Sequence, residues 1–138
     1  MTLCVIDSSA ALAWILPGEA GPAAQALLER IIQDGALAPP LWRIEVANVL
    51  AMAERRSRIS APDRQNALQQ LARLPIAFDE DGNARLWGAV PNLALRHELS
   101  VYDAIYLELA LRSGLPLATL DKALRQAAAS SNVPLMLP

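Results

Sequence analysis

Two rhythms of apolar residues run along this chain. Short, strand-like runs occur at residues 3–6, 36–38, 74–78 and 115–120, with a last one at 133–137. Between them lie longer stretches whose apolar residues recur three and four apart, the period of an amphipathic helix. Ala23, Leu27, Ile31 and Ala24, Leu28, Ile32 show it clearly. The spacing predicts helices over 10–16, 19–33, 41–58, 61–73, 84–99, 101–112 and 121–130. Breaker residues agree: Pro17-Gly18 stops the first helix, Asp34-Gly35 the second, and Ser113-Gly114 the sixth. Pro39-Pro40 bars extension of the second strand, and Pro91 should kink or split the helix over 84–99. Ser60 with Asp63, and Ser100 with Asp103, have the spacing of helix N-terminal caps. Strands alternating with helices predict an α/β fold. Its central parallel sheet has about four to five strands, with helices on both faces. A chain of 138 residues with no repeat or linker suits one domain over 1–138.

Composition narrows the class. Hydrophobic residues make up 54%, enough for a sizeable core, and only 19% are charged, which argues against a wholly disordered chain. The single cysteine, Cys4, lies in the first apolar run, so it reads as a buried thiol and no internal disulfide can form. No basic residue precedes that run and Asp7 interrupts it, unlike a secretory leader. No apolar stretch approaches the roughly 18 residues of a membrane span. The expectation is a cytoplasmic protein with no membrane partner. Net charge is −2, so there is no global basic field. Arg55, Arg56 and Arg58 cluster at the end of the third helix, where cations favour the helix dipole, a reading preferred here to an RNA-binding patch. The acidic run at 79–83 reads as solvated loop, and Glu108 with Arg112 as the exposed face of the sixth helix. Trp14, Trp42, Trp87 and Tyr102 read as core or interface rather than base-stacking platforms.

Four carboxylates stand out. Asp7 closes the first strand, which delivers it to the sheet edge where ligands of open α/β folds bind. Asp121 follows Ala118-Thr119-Leu120 at the end of the fourth strand, and so belongs to the same edge. Either could instead simply cap the helix that follows. Glu45 shares a helix face with Leu41, Trp42, Asn48, Val49 and Met52, where a carboxylate costs desolvation energy unless it is paired or bound to a cation. Asp103 lies beside Leu99, Tyr106, Leu107 and Ala110, roughly 140° around the helix from Glu108. Acids gathered in one place repel and raise each other's pKa values. A hard divalent cation relieves this, and magnesium or manganese suits oxygen ligands better than zinc does. With one histidine, His97 near a helix end, a zinc cluster or a Cys–His nucleophile has little support. No phosphate-binding glycine loop is present. The residues therefore suggest a divalent-metal site for phosphodiester hydrolysis. Two other readings stay open: a metal-dependent phosphatase or nuclease on a non-RNA substrate, and a non-catalytic scaffold that only binds a partner.

In order and spacing, Val5-Ile6-Asp7-Ser8-Ser9-Ala10, Glu45-Val46-Ala47-Asn48, Ser100-Val101-Tyr102-Asp103-Ala104-Ile105-Tyr106 and Ala118-Thr119-Leu120-Asp121 resemble the motifs of the PIN-domain family. The resemblance is to the VapC-type toxins of bacterial toxin–antitoxin pairs and covers nearly the full chain. It implies a Rossmann-like three-layer fold and a magnesium- or manganese-dependent endoribonuclease. Asp7, Glu45, Asp103 and Asp121 would be the acidic cluster, with Asp7 and Asp103 the foremost metal ligands. Ser9 and Thr119 would assist near the metal or its waters. Homodimers and a cognate antitoxin protein that blocks the site are implied as well. The chain departs from the family at Glu98, where a small residue, often glycine, is usual.

Overall fold

The computed structural model describes residues 2–16 and 21–137. Its four strands are β1 (Val5–Ile6), β2 (Ala36–Ala38), β3 (Ile76–Phe78) and β4 (Leu117–Ala118). They form one sheet in the order β3-β2-β1-β4, and every pairing is parallel. Val5 pairs with Leu37 on one side and Leu117 on the other, so β1 is central. Cys4, Val5 and Ile6 are wholly buried, as a parallel strand covered on both faces requires. Burial also pushes the Cys4 thiol up to about 11, which keeps it protonated and inert.

Among the described residues seven helices surround the sheet: α1 (Ser8–Leu12), α2 (Pro22–Asp34), α3 (Leu41–Arg55), α4 (Ala61–Ala72), α5 (Ala89–His97), α6 (Val101–Ser113) and α7 (Lys122–Ser130). The chain steps from β1 to β2 to β3 in one direction, then α5 and α6 carry it back to β4 beyond β1. Right-handed crossovers therefore place α1–α4 on one face and α5–α6 on the other. Packing follows this division: α1 and α4 lie against α3, while α5 and α7 lie against α6. The sheet order reverses between β1 and β4, and the crevice beyond their C-terminal ends is the ligand position of such folds.

Several boundaries differ from the sequence expectation for local reasons. Asp7 caps α1, so that helix starts at Ser8 and loosens into a turn after Leu12. The expected stop at Pro17-Gly18 and start at Glu19 lie outside the described residues; α2 begins at Pro22. Helix α3 ends at Arg55 because Ser57 turns left-handed at φ 60°. The stretch 84–99 does split, but at Trp87-Gly88, between a 3-10 turn at Gly82–Arg85 and α5. Pro91 falls in the first turn of α5, where its missing N–H breaks no bond. The stretch 133–137 adds one parallel bridge, Leu135 to Leu117. Among the described residues no helix is long and apolar enough to cross a membrane.

Glu108 and Arg112 are not the exposed face expected of them. Arg112 donates to both oxygens of Asp79 (3.0 and 2.7 Å) and both of Glu108 (2.8 and 3.0 Å), and Arg85 approaches Glu108 at 3.4 Å. Glu108 is buried in this cluster. Hydrogen bonds from Arg112 hold the Asp79 carboxyl below the usual range, so part of the acidic run is a tie between the β3 end and α6. The turn passes so close that a Cβ on Gly82 would stand 2.6 Å from Asp79 Oδ2.

Candidate active site

Asp7 stands where β1 hands over to α1, 4% exposed. Its Oδ1 accepts from Ala10 N–H at 3.0 Å and Ser9 Oγ at 2.7 Å, and its Oδ2 accepts from the Thr119 hydroxyl. The neighbouring carbonyl is fixed too, because Trp42 Nε1 of α3 donates to Asp7 O at 3.2 Å. Thr119, fully buried just beyond β4, also accepts from Asp121 N–H at 3.0 Å. Ser9 Oγ accepts from Leu120 N–H at 2.9 Å and stands 3.4 Å from the Thr119 hydroxyl. A polar seam thus joins the C-terminal ends of the two neighbouring strands, β1 and β4. Its members are Asp7, Ser9, Thr119 and the backbone of 120–121.

The other acids arrive from helices. Asp121 caps α7 by accepting from Leu124 N–H at 2.9 Å. Asp103 lies in the first turn of α6, whose cap is Ser100 Oγ accepting from Asp103 N–H at 3.0 Å. Glu45 projects from the second turn of α3, half-buried. Its Oε1 accepts from the Tyr106 hydroxyl of α6 at 2.5 Å and from Ser8 Oγ at 3.3 Å. The capping roles of Asp7 and Asp121 are therefore real, and both caps open on the crevice at the sheet edge.

Burial and charge act together on this group. Burial pushes Asp7 up to about 6, against the pull of the Thr119, Ala10 and Ser9 hydrogen bonds, and Asp103 repels it further. Asp103 is raised by burial, then by the charges of Asp121 and Glu45. Tyr106 is raised by burial and then by Glu45, to which its proton is committed. Asp7, Glu45, Asp103 and Asp121 thus share one electrostatic neighbourhood. Among the described residues, no three carboxylate, histidine or cysteine groups already stand close enough to hold one ion. The donor set nonetheless suits a hard divalent cation: it is all oxygen, burial raises Asp7 and Asp103, and Glu45 Oε2 and Asp121 Oδ1 accept no hydrogen bond among those described. His97, at the end of α5, stands 3.3 Å from Ser131 Oγ and takes no part.

Three positioning groups escaped the sequence reading: Ser8, Trp42 and Tyr106. Tyr106 carried a signal, since it lies three residues past Asp103 on the same helix face, and a buried phenol needs a hydrogen-bond partner. Trp42 is core, and Trp14 is half-buried with its N–H on Ala24 O at 2.8 Å. Trp87 (99% exposed) and Tyr102 (60%) lie outside the core.

Comparison with known proteins finds likeness over nearly the whole chain. The family model described as PIN domain matches residues 4–130. The chain is 32% identical to Ribonuclease VapC3 of Pyrobaculum aerophilum over 122 residues, 88% of this chain and 92% of that protein. The crystal structure of PAE2754 from Pyrobaculum aerophilum superposes with a TM-score of 0.71 at 22% identity, covering 98% of this chain and 84% of that one. FitAcB from Neisseria gonorrhoeae gives 0.66 at 15% identity, covering 95% and 94%. At these identities the two structures speak for the fold alone.

Proposed function

We propose, from the premise that this chain belongs to the PIN-domain family, that it is a metal-dependent endoribonuclease and the toxin of a toxin–antitoxin pair. One observation carries the chemistry: Asp7, Glu45, Asp103 and Asp121 gather at the sheet's switch point, where burial and neighbouring carboxylates raise Asp7 and Asp103. A scaffold without catalysis has no need of such a group. The relative's description as a ribonuclease supports RNA as the substrate.

Asp7 and Asp103 would be the foremost ligands of a magnesium or manganese ion, with Glu45 and Asp121 completing the set. When bound, that ion supplies a Lewis acid for the scissile phosphate and eases proton loss from an attacking water. The chain's own residues do the rest. Thr119, Ser9 and the Ala10 amide hold Asp7 in one rotamer. Tyr106 and Ser8 hold one oxygen of Glu45 and leave the other free. The N-termini of α1, α6 and α7 open at the crevice and partly offset the gathered negative charge. Preorganisation of this kind lowers the cost of developing charge on the phosphate.

A cognate antitoxin and a second copy of the chain are the proposed protein partners. Trp87, Leu95 (81% exposed) and Ile44 give them apolar surface to cover. The test is cleavage of a mixed RNA pool by purified, partner-free protein with manganese, with magnesium and with chelator, beside Asp103→Asn. Metal-dependent cutting that vanishes in the variant is expected. A partner-free protein that neither cuts RNA nor binds either ion would overturn the reading.

A further inference from the structure

The acids of the site would repel an RNA strand, and the chain as a whole is slightly negative. Helix α3 answers this at its other end. On a helix of about 100° per residue, Asn48, Val49, Met52 and Arg56 all stay within about 60° of Glu45, and Arg56 returns to within about 20° of it. A single stripe therefore leads from Glu45 to Arg56, about 16 Å along the helix axis at 1.5 Å per residue. From Asn48, one turn past Glu45, to Arg56 the stripe lines a cleft of about 250 Å³, together with Leu16 and Arg58.

Arg55, Arg56 and Arg58 are exposed, and none makes an ion pair with a described residue. Nor do their side chains cap the helix. The last carbonyls of α3 are met by backbone: Arg56 N–H on Met52 O (3.0 Å), Ser57 N–H on Glu54 O (2.9 Å) and Arg58 N–H on Ala53 O (2.9 Å). Ser57 makes this cap in the left-handed region, at φ 60°, where glycine is the usual residue. The turn brings Arg56 and Arg58 to the same cleft. Guanidinium groups bind phosphate oxygens in bidentate fashion and stay charged at any working pH.

We propose that the cleft along α3 is the track of the RNA strand, with Arg56 and Arg58 gripping backbone phosphates a few nucleotides from the bond cut beside Glu45. Asn48, exposed one turn from Glu45, is placed to meet the sugar or base between them. The inference rests on the ribonuclease reading above. It adds where the strand lies and gives the enzyme a reason to prefer long substrates over very short ones.

The experiment compares the full-length chain with Arg56→Gln/Arg58→Gln, after circular dichroism shows that both are folded. Binding of a fluorescent single-stranded RNA is titrated across a range of salt concentrations, and cleavage of the same RNA is compared with cleavage of a trinucleotide. Each lost phosphate contact should flatten the slope of log K against log salt by about 0.7, so the double variant should lose about 1.4. Its preference for the long strand should fall by at least about tenfold, as lost contacts of more than 1.4 kcal/mol require. An unchanged slope with a lower melting temperature would assign the arginines to helix stability and overturn the track. Unchanged RNA binding with lost binding of polyglutamate would overturn it in favour of an acidic protein segment. If the parent chain itself neither binds nor cuts RNA with either metal, the ribonuclease reading fails first and takes the track with it.

Discussion

The hydroxyl of Tyr106 lies 2.5 Å from Oε1 of Glu45, so a residue of α6 fixes a carboxylate of α3. Asp103, on the same face of α6, is thereby held in register with Glu45 across the crevice. Tyr106→Phe removes the hydroxyl and little else. A hydrogen bond to a charged group is worth about 1.5–3 kcal/mol, so the melting temperature should fall measurably. Loss of a group that orients a metal ligand costs about 10–100-fold in affinity. Calorimetric titration with manganese should show that loss, and an unchanged affinity would relegate Tyr106 to packing.

Glu98 ends α5 at φ 55° and ψ 42°, with its side chain exposed. The left-handed region costs a residue with a Cβ about 1–2 kcal/mol, which glycine avoids at some expense in unfolded-state entropy. Glu98→Gly should therefore stabilise the protein by about 0.5–1 kcal/mol and raise its melting temperature by a few degrees. A fall in melting temperature would mean that the glutamate side chain contributes something its exposure does not suggest.

Arg112 stands between Asp79 and Glu108 and satisfies both. Arg112→Ala leaves two neighbouring carboxylates, each with a largely buried side chain, facing each other with only Arg85 at hand among the described residues. Breaking such a cluster from one side costs about 3–5 kcal/mol, far more than the cluster gains over an apolar replacement. Urea unfolding of the variant should show a loss of that order. Lowering the pH should narrow the gap to the parent, because Asp79 is held low by Arg112 in the folded state and its stabilisation is lost as it protonates.

These cases also show what a sequence can and cannot display. Asp7 and Asp121 were placed correctly because a strand giving way to a helix is written locally, in an apolar run followed by a capping acid. The side of α6 on which Asp103 lies followed from helical period alone. Glu108 and Arg112 were misread because their partner Asp79 comes from 33 residues upstream of Arg112, beyond the reach of any period. The grip of Tyr106 on Glu45 spans 61 positions and exists only once α6 faces α3. Ser57 was invisible as a left-handed residue, since it is not the glycine that marks such a turn, whereas at Glu98 the glycine usual in the resembled family was the one hint.

The last prediction concerns Asp7, whose burial raises its pKa from 3.8 to about 6. In the metal-free protein the folded state therefore holds this proton more tightly than the unfolded chain does. Between about pH 4 and 6 the folded state binds more protons, so stability is greatest below that window and falls as pH rises through it. The loss approaches about 3 kcal/mol if two pKa units are converted in full. Asparagine cannot ionise, yet it still caps a helix and can still meet Ser9, Ala10 and Thr119. Asp7→Asn should flatten the difference in melting temperature between pH 4 and 7 and leave the metal-free variant the more stable of the two at pH 7. Manganese should then reverse the order, because an ion that binds only the folded parent stabilises only the parent. Cleavage by the variant should drop by more than the roughly 100-fold that loss of a mere supporting group costs. Identical pH dependence in parent and variant would show that Asp7 is not the strained acid. A variant stabilised by manganese as strongly as the parent would remove Asp7 from the ligand set.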